Sequence, residues 1–170
     1  SARAAGAGHP VFLSSGGVGC PGAQGMAGEP FGDAGAAATL NERFFSIRLD
    51  RDDRPDFDRR YQQSVALMGH AGGWPLTVFL TADRRPFFGG TYFPPDDLHG
   101  RPGFKKVLRS IAEFYDVRRG EADQYAGRIL EALQADTASP GELDRAVLDS
   151  ARDALLAAAD REHGGFGTSP

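Results

Sequence analysis

The apolar positions of this chain fall into short runs separated by glycine, proline and charge. Pro10–Ser14 encloses Val-Phe-Leu with no polar alternation, as expected for a strand buried on both faces. Phe44–Asp50 instead alternates, with Phe45, Ile47 and Leu49 on one side and Phe44, Ser46 and Arg48 on the other. A period of two predicts a strand with one wetter face, nearer a sheet edge. Leu76–Thr81 is a second fully apolar strand. After a turn at Ala82–Arg85, Pro86–Gly90 returns as a short antiparallel strand. Helical spacing marks Asp33–Arg43, with Asp33 as N-cap, and a second helix near Asp56–Met68. Phe104, Val107, Leu108, Ile111 and Tyr115 line a third. Gly120 is expected to break or kink that helix before Tyr125, Ile129, Leu130 and Leu133 continue the stripe. Ser15–Gly28 is so rich in glycine that it predicts a loop, tight turns or a poorly formed helix.

The order β-α-β-α-β-β-α, with an extra helix behind it, predicts an α/β fold. A right-handed crossover makes the first two strands parallel, and the last two form a hairpin. The fully apolar strands belong in the centre, so the expected spatial order is Phe44–Asp50, Pro10–Ser14, Leu76–Thr81, Pro86–Gly90. Residues 1–135 are expected to form this domain. Residues 136–170 then hold a linker, at Asp136–Gly141, and the first helix of a following, truncated helical domain. That helix, Glu142–Glu162, carries Leu143, Val147 and Leu155 on one face. The stripe needs a cover, which is either its own domain or a second copy of the chain, giving a homodimer.

Hydrophobic residues make up 41% of the 170 and charged residues 25%, the balance of an ordinary globular chain. The net charge of -4 argues against a general nucleic-acid partner. No run of 18 apolar residues exists, so no membrane-spanning helix is expected. Nothing near residue 1 reads as a secretory leader, and the expected compartment is cytoplasmic. A single cysteine, Cys20, excludes an internal disulfide framework and a cysteine-rich zinc site.

Four segments carry a resemblance: PVFLS at 10–14, LNERFFSIRLDRDDRP at 40–55, GGWPLTVFLTADRRPFFGGTYFPP at 72–95 and RPGF at 101–104. They resemble the N-terminal thioredoxin-like domain of the spermatogenesis-associated-protein-20-like family. Larger members continue into a helical barrel similar to sugar epimerases, and HGGFG at 163–167 resembles the start of that barrel. The resemblance implies a thioredoxin-like fold with a central mixed four-stranded sheet flanked by helices. It implies no cofactor and no metal. The family typically carries Cys-His-Trp-Cys-His after the first strand. This chain reads Cys20-Pro21-Gly22-Ala23-Gln24, so the first cysteine is kept and Ala23 stands at the second. Dithiol exchange needs a second thiolate to resolve the mixed disulfide, so dithiol oxidoreductase activity is not expected.

Cys20 is the catalytic candidate. It follows a buried strand and precedes a possible helix start, where the helix N-terminus favours a thiolate. The competing reading makes it a relic of a lost site. Trp74 and Pro75 are the substrate-binding candidates, because in thioredoxin-like folds the equivalent proline is cis and lies beside the redox motif. From residues alone, Pro75 simply starts a strand. Gly17–Gly22 matches G-x-G-x-x-G, but Pro21 and Pro30 interrupt the helix a dinucleotide site requires. Asp50–Asp56 has the acidity of a calcium loop, yet Arg54 fills a ligand position and Pro55 replaces the needed glycine. His9, His70, His99 and His163 have no ligand spacing, and Tyr92–Pro95 reads equally as local packing or a surface groove.

Three functions follow. The first is a degenerate thioredoxin-like module of a larger protein that binds or braces. The second is a monothiol redox enzyme, with Cys20 forming mixed disulfides with a small thiol or a protein client. The third is the N-terminal part of a carbohydrate-active enzyme whose catalytic half lies outside this chain.

Overall fold

The computed structural model describes residues 8–98, 100–135, 144–162 and 164–166. Of the residues singled out above, Glu142, Leu143, His99, His163, Gly167 and the linker lie outside that set. Two compact units divide at Asp136/Thr137.

The first unit is built on strands β1 (Val11–Gly16), β2 (Phe45–Asp50), β3 (Leu76–Leu80) and β4 (Pro86–Gly90). Their spatial order is β2-β1-β3-β4. β1 and β2 are parallel, with Leu13 opposite Ile47; β3 runs antiparallel to both β1 and β4. This is the order expected from placing the two apolar runs in the centre. Every residue of β3 is buried, whereas Ser46 and Arg48 of β2 are exposed.

Successive strand residues point to opposite faces, and each face has its own core. Val11, Leu13, Val78 and Leu80 pack with Tyr61 and Val65 of helix α3 (Pro55–Leu67). Phe12 and Phe79 face helices α1 (Pro21–Gly28), α2 (Ala34–Arg43) and α4 (Phe104–Val117), through Met26, Leu40, Phe104 and Leu108. The ring centroids of Phe12, Phe31, Phe79 and Phe104 stand 5.5–5.8 Å apart in edge-on or tilted pairs. Helix α5 (Arg119–Ala135) packs on β4, α3 and α4. The break between α4 and α5 falls at Arg118, not at Gly120, which lies inside α5. Arg118 leaves the helical region at φ -126, and its guanidinium pairs with Glu121 across the junction. Asp33 caps α2 by accepting the Ala36 backbone N–H at 2.9 Å.

Of the loop, tight turns or poorly formed helix expected in the glycine-rich stretch after β1, the helix is realised in its second half, as α1. Pro21 occupies the first turn, where its missing N–H costs nothing. Met26 is fully buried, and its sulfur lies 3.9 Å from the Thr77 hydroxyl. Each glycine weakens a helix by about 1 kcal/mol relative to alanine. Tertiary anchoring through Met26 offsets that weakness, as it does for most short helices.

The second unit, among the described residues, holds helix α6 (Arg145–Ala158). Asp144 caps it by accepting the Ala146 backbone N–H. It ends earlier than the expected Glu162, because Ala159 turns to extended backbone and bridges Phe166. Val147 and Leu155 are exposed on it.

Candidate functional site

Cys20 stands at the N-cap of α1 in extended backbone conformation. Its backbone N–H donates to the Gly17 carbonyl at 3.1 Å, and its carbonyl accepts from the Gln24 backbone N–H at 3.1 Å. The Gln24 side chain donates to the Val18 carbonyl at 2.7 Å, which ties the helix to the loop before it. The thiol is free and partly exposed. Its side chain makes no capping hydrogen bond.

The Trp74–Pro75 peptide is cis. It lies against the first turn of α1: a Cβ placed on Gly22 would stand 2.9 Å from Pro75 Cδ and 3.5 Å from the Trp74 carbonyl oxygen. The absence of a side chain at Gly22 therefore permits this approach. Ahead of it, Gln62 of α3 exchanges two hydrogen bonds with Gly73, donating to its carbonyl at 2.9 Å and accepting its N–H at 3.0 Å. Gly73 has φ +148, which favours glycine there.

Trp74 is 44% exposed, yet its position is fixed. The indole Nε1 donates to the Asp58 carboxylate at 3.1 and 3.3 Å. The Arg51 guanidinium carbon sits 4.2 Å from the ring centroid, within cation–π range. Asp58 is 6% exposed and also accepts the Ser15 hydroxyl at 2.6 Å. One buried carboxylate thus joins the end of β1, α3 and the Trp74 loop. A buried carboxylate needs such donors to offset its lost hydration.

On the other side of α1 a cavity of about 440 Å³ is lined by Gly16, Ala23, Gln24, Phe31, Arg48 and Asp50, among others. Ala23 stands one turn beyond Cys20. A Cβ on Gly16 would meet Ala23 Cβ at 2.5 Å, so the strand end and the helix touch backbone to side chain. Chemically the site offers one thiol, a fixed exposed indole and a neighbouring hollow. Among the described residues, no group of three His, Cys, Asp or Glu side chains is placed to hold a metal ion.

Sequence reasoning singled out Cys20, Trp74 and Pro75 and missed Ser15, Asp58 and Gln62. Asp58 sits in the charged run 50–60, where nothing local marks it as buried. Its helical phase does: Asp58, Tyr61 and Val65 fall at helical spacing on the buried face of α3. His70 approaches Phe88, at 6.4 Å between ring centroids.

Residues 1–134 match the family described as a protein of unknown function, DUF255 (Thioredox_DsbH). The chain belongs to this family. It is 39% identical over 163 residues to an uncharacterised Caenorhabditis elegans protein, covering 95% of this chain and 22% of that one. It is 37% identical over 169 residues to human spermatogenesis-associated protein 20, covering 95% of this chain and 21% of that one. The chain therefore spans about a fifth of the length of these curated relatives. Among solved structures it is similar to a DsbH oxidoreductase, with TM-score 0.50, 12% identity, 69% of this chain and 79% of that chain covered. That likeness shows a thioredoxin-like fold.

Proposed function

We propose that this domain is a thioredoxin-like module of a larger protein that has lost dithiol redox cycling and serves to bind or brace. The carrying observation is that Cys20 is the chain's single cysteine, with Ala23 one turn further along α1. A Cys20 thiolate attacking a disulfide releases one thiolate and keeps the other half as a mixed disulfide. With alanine at 23, no internal thiolate exists to expel that half, and an external thiol must do so. The fixed, exposed Trp74 beside Pro75 supplies a rigid aromatic anchor of the kind that dominates binding surfaces. The partner is then a protein or thiol client held at Trp74 and Pro75.

A second reading keeps Cys20 active as a monothiol that traps a client or small thiol. The partly exposed, unpaired sulfur at a helix N-cap favours it. One experiment separates the two. Ala23 lines a cavity, so Ala23→Cys has room for a sulfur. The variant is expected to gain insulin-reductase activity with dithiothreitol, and the parent to show none. Equal activity in both refutes the loss of cycling. Rapid mixed-disulfide formation by the parent without turnover favours the monothiol reading.

A further inference from the structure

The turn joining β3 to β4 lies at the end of the sheet opposite Cys20. Val11 at the start of β1 pairs with Leu80 at the end of β3, whereas Cys20 follows the far end of β1. Beside this turn is a second cavity, of about 380 Å³, within the size range of small-ligand sites. Arg60, Arg84 and Arg85 supply its charge, and Phe57, Tyr61 and Leu130 its apolar wall.

Arg85 is neutralised, with ion pairs to Asp83 at 2.6 Å and Asp123 at 2.9 Å. Asp83, the acid lining the cavity, also accepts the Thr81 hydroxyl. Arg60 and Arg84 line the same hollow and make no ion pair among the described residues; with Arg85 and its two acids, Asp83 and Asp123, the cluster carries a net charge of +1. Arg84 is moreover the one described non-glycine residue with positive φ, at +72. Its N–H closes the turn onto the Thr81 carbonyl at 2.8 Å. The left-handed region is unfavourable for an ordinary residue and almost free for glycine. An arginine there keeps its charge at the cavity in spite of that cost. The Tyr61 hydroxyl donates to the Arg84 carbonyl at 3.4 Å, which ties the wall to the turn. Burial raises the Tyr61 pKa, and the Arg60 and Arg84 charges oppose the rise.

We propose that this cavity binds a small phosphate monoester carrying an aryl or similarly flat apolar group. Guanidinium forks match tetrahedral phosphate oxygens, and Arg60 and Arg84 have no ion pair among the described residues to compete with a phosphate. The Phe57, Tyr61 and Leu130 wall would be wasted on a bare ion, whereas an ester's flat apolar half fits it.

Phenyl phosphate is the probe, titrated into the 170-residue chain while backbone amide shifts are followed by NMR. Saturable shifts at residues 57–61 and 81–85 are expected, with a dissociation constant on the order of 1 mM or tighter. Arg60→Gln and Arg84→Gly should each weaken binding about tenfold, the loss of one charge-assisted donor group. Arg84→Gly separates charge from fold, because glycine takes φ +72 freely. Inorganic phosphate and phenol alone are expected to bind more weakly than the ester. Vesicles containing phosphatidic acid present the same monoester on a membrane and are expected not to compete. Three results overturn the proposal: no saturable binding, unchanged affinity in both variants, or inorganic phosphate binding as tightly as phenyl phosphate. Binding to the vesicles without binding to phenyl phosphate overturns it too, in favour of a lipid surface.

Discussion

Trp74 donates its indole N–H to a carboxylate, Asp58, that is almost wholly buried, while nearly half of its own surface stays exposed. The same carboxylate accepts the Ser15 hydroxyl at the end of β1. An exposed aromatic on a glycine-rich loop would ordinarily sample several rotamers. Here the buried acid, the Arg51 guanidinium over the ring and the Gln62–Gly73 pair hold it in place. Ordering is thus paid during folding, and a partner meeting Trp74 encounters a preorganised anchor.

Asp58→Ala is expected to release that anchor. It strips two donors of their acceptor and leaves the Ser15 hydroxyl buried without a partner. The cost should be about 2–3 kcal/mol, read from denaturant unfolding. Trp74 is the chain's single tryptophan, so its fluorescence reports the loop directly. Acrylamide should quench it faster in Asp58→Ala than in the parent. Asp58→Asn retains an acceptor oxygen and should fall between the two. Identical quenching in all three proteins would mean that packing, and not this hydrogen bond, positions the indole.

The sheet order was legible because hydrophobic pattern separates the central strands from β2, while the short hairpin turn places β4 beside β3. Val11–Leu13 is apolar without interruption and Leu76–Leu80 apolar but for Thr77, while Ser46 and Arg48 mark β2 as half wet. For Ser15–Gly28 the sequence left loop, turns and a poorly formed helix open, because propensity is local and the force that forms α1 is not. Met26 finds its burial against Thr77, more than fifty residues away in the chain. Cys20 drew notice as the single cysteine after a buried strand, and Trp74 and Pro75 through the family resemblance. Asp58 did not, since a buried acid looks like its solvated neighbours until its helical phase is compared with Tyr61 and Val65.

Asp33 should make the stability of the domain depend on pH in acid. The Ala36 backbone N–H, and next the Lys105 ammonium at 3.2 Å, hold its carboxyl below the usual carboxylate range. A depressed folded pKa stabilises the native state above the unfolded value, about pH 4. The stabilisation disappears as pH falls through the lower folded value. Asp33→Ala should therefore melt at a lower temperature than the parent near neutral pH. The two melting temperatures should draw together as pH falls through the lowered folded value. Asp33→Asn caps almost as well as aspartate, so its gap from alanine should not change with pH. A constant gap between parent and Asp33→Ala across this range would place the stabilisation in cap geometry alone.

Gly89 should be intolerant of even one added methyl group, chiefly because of Val65. β4 pairs Gly89 with Val78 on the sheet, and α3 presses Val65 onto the same place. A Cβ on Gly89 would stand 2.7 Å from Val65 Cγ2 and 3.1 Å from the Thr77 carbonyl oxygen. Real side chains do not approach so closely, so α3 or β4 has to shift. Overpacking of this kind costs about 1–3 kcal/mol, and Gly89→Ala should lose that much in denaturant unfolding. Val65→Ala alone leaves a hole and is also destabilising. In the double variant the new methyl enters the space that Val65 vacates. The pair should then be more stable than the sum of the single losses predicts, with a coupling of about 0.5–2 kcal/mol. Relief stays partial, because the Thr77 carbonyl contact survives the valine truncation. Strictly additive losses would show that the clash falls on the β3 backbone and that α3 is free to move.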